Sequence, residues 1–121
     1  MSYKEMSMPH IVIEHSTDGH ANFDATALMR ALHDAAAGTG VVQAADLKVR
    51  AMAYADYLVA GTSDSFCHVS LYMLEGRTPE QKVTLSEALR SVLIELLPHT
   101  KSLSVDIRDM DAVAYKKRLL A

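Results

Sequence analysis

The sequence predicts an α+β fold made of two tandem β-α-β units, which together give a four-stranded mixed sheet with two helices on one face. Three observations predict it. A short apolar run of strand type and three runs that alternate apolar and polar residues mark strands, two longer stretches carry apolar residues at helical spacing, and the second set repeats the first. The helix starts lie 54 residues apart, from Asp24 to Thr78, and the strands that follow start 56 apart, from Leu47 to Leu103. In each unit the two strands run parallel and the helix crosses between them. The 121 residues suffice for one domain with a core, and half of them are apolar.

The first strand is expected near residues 9–14, around Ile11-Val12-Ile13. The turn formers Ser16, Thr17, Asp18, Gly19 and Asn22 follow. Asp24 is a plausible N-cap for a helix over 25–37, with Leu28, Leu32 and Ala35 inward and Gly38 and Gly40 ending it. The second strand, near 47–55, puts Leu47, Val49 and Ala51 on one face and Lys48 and Arg50 on the other. Residues 57–65 read as a connection, with Tyr57-Leu58-Val59 as a possible short edge strand.

The third strand, near 67–74, alternates Cys67, Val69, Leu71 and Met73 with His68, Ser70 and Tyr72. Thr78 and Gln81 then form a capping box, with Pro79 at the first helical position. The second helix carries a stripe of Leu85, Leu89, Val92 and Leu96, widened by Ala88, Leu93 and Leu97, and Pro98 ends it. The fourth strand, near 102–108, places Leu103, Val105 and Ile107 inward. The units are thus 9–56 and 66–110, followed by a C-terminal tail whose Tyr115-Lys116-Lys117-Arg118 reads as a solvated basic end. If both helices cover the apolar face, the other face is bare. It then shows His10, Val12, Lys48, Arg50, His68, Tyr72 and Arg108, a surface that invites self-association.

The balance of charge, −3 with six histidines, does not suggest a nucleic-acid surface, and the longest apolar runs are far short of a membrane span. One cysteine, Cys67, suits a reducing cytoplasm and reads as buried packing. No Cys/His cluster has zinc spacing.

Met8-Pro9-His10 carries the chemical interest. Residues 1–8 read as a leader without signal-peptide character, and 9–121 as the domain. If the chain starts at Pro9, that residue bears a free secondary amine, a class of group that titrates near pH ~8 and drops when partly buried near cations. Inside a peptide bond it is only a strand opener.

Leu74-Glu75-Gly76-Arg77-Thr78-Pro79-Glu80-Gln81-Lys82, between an alternating strand and an amphipathic helix, resembles the strand-to-helix junction of the tautomerase superfamily. Met8-Pro9-His10 before Ile11-Val12-Ile13-Glu14 resembles that superfamily's amino terminus, where the proline becomes residue one. The doubled unit, Thr39-Gly40 and Gly76-Arg77 resemble the 5-carboxymethyl-2-hydroxymuconate isomerase branch, over roughly Pro9 to Asp109.

The resemblance implies a cofactor-free isomerase of aromatic catabolism, a homotrimer with sites between subunits, acting on a small carboxylate. It implies Pro9 as general base and acid, with Arg77 binding substrate. Lys48 and Arg50 match two basic residues of the branch's second strand; His10 is a candidate to line the site, with a place in a trimer interface as the other reading. The branch has arginine where Lys48 stands, and lysine cannot make arginine's planar two-pronged grip on a carboxylate. Read without the resemblance, Arg77 is a solvated loop arginine. The alternative function is a catalytically silent trimer of this fold, a binding or structural module, because Pro9 is not N-terminal.

Overall fold

The computed structural model describes residues 8–17 and 23–120. Residues 1–7 of the leader and the turn formers Asp18, Gly19 and Asn22 lie outside the described residues. The elements run β1 (His10–Ser16), α1 (Ala25–Gly38), a 3-10 turn (Ala44–Asp46), β2 (Lys48–Tyr54), β3 (Phe66–Leu74), α2 (Pro79–Leu96) and β4 (Ser102–Met110). The sheet order is β2-β1-β3-β4. β1 pairs parallel with β2 and β3 parallel with β4, while β1 and β3 are antiparallel. This is the mixed sheet of two β-α-β units that the alternation predicts.

The helices start where their caps dictate. The Asp24 carboxylate accepts from the Ala27 N–H at 3.0 Å. At α2 the Thr78 hydroxyl accepts from the Gln81 N–H, and the Gln81 side chain accepts from the Thr78 N–H, satisfying two otherwise unpaired donors. One core joins Ile11, Ile13, Cys67, Val69, Leu71 and Met73 of the sheet to Leu28 and Leu32 of α1 and Leu85, Leu89 and Leu93 of α2. Both helices therefore cover the same sheet face.

The helical phase differs slightly from the expected one. Ala36 rather than Ala35 is fully buried in α1. In α2 the inward ridge is Leu85-Leu89-Leu93, and Leu96 is 43% exposed. Residues 92–97 are apolar on nearly every side, so spacing alone does not fix which of them turns inward. Tyr57–Val59 forms no edge strand. Val59 and Thr62 make a single bridge closed by Ala60 and Gly61 at positive φ. Burial pushes the Cys67 thiol up to about 12, so it packs as an apolar group. No helix among the described residues is long and apolar enough to cross a membrane.

Candidate active site

The topology brings the starts of β1 and β2 and the ends of β3 and β4 to one end of the sheet. Pro9, Lys48, the Glu75–Arg77 junction and the segment after Met110 meet there. The Pro9 carbonyl accepts from the Lys48 N–H at 3.1 Å, extending the β1–β2 ladder by one bond. The Pro9 ring is fully buried. Met8, just before it, has φ of 40°, a left-handed conformation that a side chain before proline seldom adopts.

On the sheet face away from the two helices, bare of any helix among the described residues, His10 stands opposite Lys48, and Val12 opposite Arg50. An open cavity of about 380 Å³ is lined by His10, Val12, Arg50, Tyr72 and Met110. Arg50 Nη1 lies 3.2 Å from His10 Nδ1, and His10 Nε2 lies 2.9 Å from the Tyr115 hydroxyl. The imidazole is therefore held on both sides. Lys48 is half-buried, with its ammonium 3.5 Å from the Asp46 carbonyl. Among the described residues no group of His, Cys, Asp or Glu side chains is placed to hold a metal ion.

Arg77 departs from the solvated reading. It is 6% exposed, and its Nε and Nη2 both donate to the Val41 carbonyl, at 3.3 and 3.1 Å. Gly76, at φ of 121°, gives the turn that aims Arg77 inward. The acceptor loop is itself tied down. Thr39 Oγ1 donates to Ala36 O and accepts from Val41 N, and both Val41 and Val42 enter the core. So Arg77 pins the loop ahead of β2 to the β3–α2 junction, at the same end of the sheet as Pro9. The other bare-face histidine, His68, bonds to Ser104 toward the opposite end of the sheet, away from this cluster.

In the basic tail Lys116, Lys117 and Arg118 are exposed, as expected of a solvated end, but Tyr115 reaches back to His10. No periodicity marks this contact, which spans 105 residues of sequence. A bonded pair of that separation leaves no signal in a single sequence.

The His10 pKa is lowered from 6.5, first by burial and then by Arg50, Lys48 and Lys117. Below pH 6.5 the unfolded chain takes up a proton on this histidine that the folded chain resists. Its contribution to stability is thus present above pH 6.5 and is lost as pH falls through the folded pKa. His33 opposes it. Its pKa is raised, first by its bond to Asp34 and then by the Ala44 carbonyl, so its contribution is present at low pH and lost on the alkaline side. Urea unfolding between about pH 5 and about pH 8 should show a shallower acid fall for His10→Gln than for the parent. Parallel curves would show that His10 is not held neutral.

The profile of the 5-carboxymethyl-2-hydroxymuconate isomerase family matches residues 9–119. The chain belongs to the 5-carboxymethyl-2-hydroxymuconate isomerase family. This is a family of isomerases, and its match begins at Pro9. Among solved structures, a 5-carboxymethyl-2-hydroxymuconate isomerase from Deinococcus radiodurans R1 superposes with a TM-score of 0.82, covering 93% of this chain and 90% of that one, at 24% identity. A 5-carboxymethyl-2-hydroxymuconate delta-isomerase is 25% identical, with a TM-score of 0.74 over 94% of this chain and 89% of that one. A protein described as a "Q0 fused 4-OT wild type symmetric trimer" is 28% identical, with a TM-score of 0.74 over 84% of this chain and 85% of that one. No curated protein matches by sequence. The fold is that of the tautomerases, and the chain is a family member built on two β-α-β units.

Proposed function

We propose that this protein is a cofactor-free isomerase of small unsaturated keto or enol acids with one or two carboxylates, and that Pro9, as the first residue of a chain without its leader, is the general base and acid. The observation that carries the reading is the clustering at one end of the sheet. Pro9 leads into β1 with the Lys48 N–H bonded to its carbonyl, and the next residue, His10, lines a cavity together with Arg50. A neutral proline nitrogen takes a proton from the carbon next to a carbonyl, and the electron pair spreads into a dienolate. The protonated amine then returns the proton to a different carbon. Lys48 and Arg50 bind carboxylate and offset the dienolate charge, and they disfavour the charged amine. His10 lines the cavity. Arg77 serves the same end, binding a carboxylate while holding the Val41 loop.

The assembly is a homotrimer with the bare sheet faces turned toward neighbouring subunits and the sites between them. The support is the uncovered face, with Met52 60% exposed on it, and the trimers named among the related structures. Light scattering should give about three times 13.3 kDa. A stable monomer would refute the assembly.

One observation favours the silent reading for the full-length chain. There the Pro9 nitrogen is an amide, its ring is fully buried, and a half-buried Met8 precedes it. The two readings are thus two forms of one chain. The test is a proline-first chain assayed by ultraviolet absorbance for enol-to-ketone conversion, beside the full-length chain.

A further inference from the structure

The hydrogen-bond network around His10 has a direction. Arg50 can only donate, so the His10 Nδ1 at 3.2 Å from it must be the acceptor. In the neutral imidazole the hydrogen then sits on Nε2. That nitrogen, 2.9 Å from the Tyr115 oxygen, donates to it. The phenol oxygen therefore receives a hydrogen bond and keeps its own hydrogen. Among the described residues no other side-chain or backbone group takes that hydrogen. Burial and the cations Arg50, Lys48 and Lys117 around His10 hold it in this neutral form.

From this we infer that the Tyr115 hydroxyl is a further substrate-binding group, which donates its hydrogen to a carboxylate or enolate oxygen of an acid held at Arg50. The inference rests on the reading of the His10–Arg50 cavity as the substrate site. Tyr115 is not itself among the residues lining the cavity; its ring meets His10 edge to face, with centroids 6.0 Å apart, and its hydroxyl bonds to that imidazole, which does line the cavity. The run from Arg50 through His10 to Tyr115 points every N–H and O–H the same way. Successive donors polarise one another, which makes the phenol a better donor to an anion than an isolated tyrosine. His10 thereby acts as a positioning residue for Tyr115 as well as a wall of the cavity. Tyr115 thereby ties the C-terminal tail to the site, while Lys116, Lys117 and Arg118 stay exposed.

The test uses trans,trans-muconate, a planar conjugated dicarboxylate that has no enol to convert, so binding is read apart from turnover. Calorimetric titration of the full-length chain should show Tyr115→Phe binding muconate roughly tenfold to a hundredfold more weakly than the parent, the span for a hydrogen bond to a charged group. The urea midpoint should fall modestly, because the ring contact remains but His10 Nε2 loses its acceptor, so affinities are compared under conditions where both chains are fully folded. Nitrogen-15 NMR of the imidazoles should show His10 protonated on Nε2 and bare on Nδ1 at neutral pH. Equal affinity of the two chains, no binding by the parent, or a His10 protonated on Nδ1 would each overturn the inference. In the last case Tyr115 would have to donate to Nε2 and would have no hydrogen left for a ligand. A chain that binds muconate through Tyr115 while its proline-first form turns over no enol acid would leave this inference standing and remove the base role of Pro9.

Discussion

A chain that begins at Pro9 should isomerise enol acids about 10²–10⁴-fold faster than the full-length chain, the usual contribution of a positioned general base. The cause is amine chemistry. Within a peptide bond the proline nitrogen's lone pair is delocalised into the preceding carbonyl and cannot take a proton near neutral pH. Freed, the same nitrogen is a secondary amine one residue before His10, at the end of the sheet that carries Lys48 and Arg50. The fold around it should not change, because the Pro9 carbonyl still bonds to Lys48 N and the ring still packs in the core. Loss of Met8 also removes a residue held at positive φ. The gene is started at Met8, removal of that methionine is confirmed by mass, and both chains are assayed on acids with one and two carboxylates. Equal rates would exclude Pro9 as the base and turn attention to His10.

Arg77→Ala should lower kcat/KM of the proline-first chain on a dicarboxylate by about 2–5 kcal/mol, the cost of removing one partner of a buried charge pair. The same substitution should destabilise the protein. The Val41 carbonyl would lose both of its guanidinium donors at a buried position, which costs about 1–3 kcal/mol. Arg77→Lys should fall between the two, since an ammonium reaches one acceptor but cannot reproduce the two-pronged donation. Urea unfolding and steady-state kinetics separate the effects. Parent-like stability would mean that the Val41 contact carries no weight, and parent-like turnover would take Arg77 out of the site.

Much of the fold was legible because its determinants are local. Period-two alternation marks three of the strands and a short apolar run the first, and Asp24 and Thr78 mark both helix starts through bonds made within three residues. The parallel pairing followed from the doubled unit. The clustering of Pro9, His10, Lys48 and Arg50 was legible for the same reason, since a parallel β1–β2 pair sets them side by side. The misses have a common cause. The resemblance marks Arg77 as a substrate-binding residue, but its bonds to the Val41 carbonyl are not legible, because a backbone acceptor in another loop is announced by no side-chain pattern. Tyr115 lies in a tail without periodicity, and only the folded chain brings it to His10. Leu96 was placed inward because the end of α2 is apolar on too many sides for spacing to choose.

The catalytic role of Pro9 is tested most directly by mapping where an acetylenic 2-oxo acid attaches to the proline-first chain. A neutral secondary amine adds to the activated triple bond, forming an N–C bond, while the displaced proton goes to the neighbouring carbon. Cys67 is buried and held as a thiol, so it does not compete. Peptide mass spectrometry should find one adduct per chain, on Pro9, with activity lost in proportion to labelling and no adduct on Pro9 of the full-length chain. Labelling at another residue with loss of activity, or full activity after Pro9 is labelled, would contradict the role assigned to the proline.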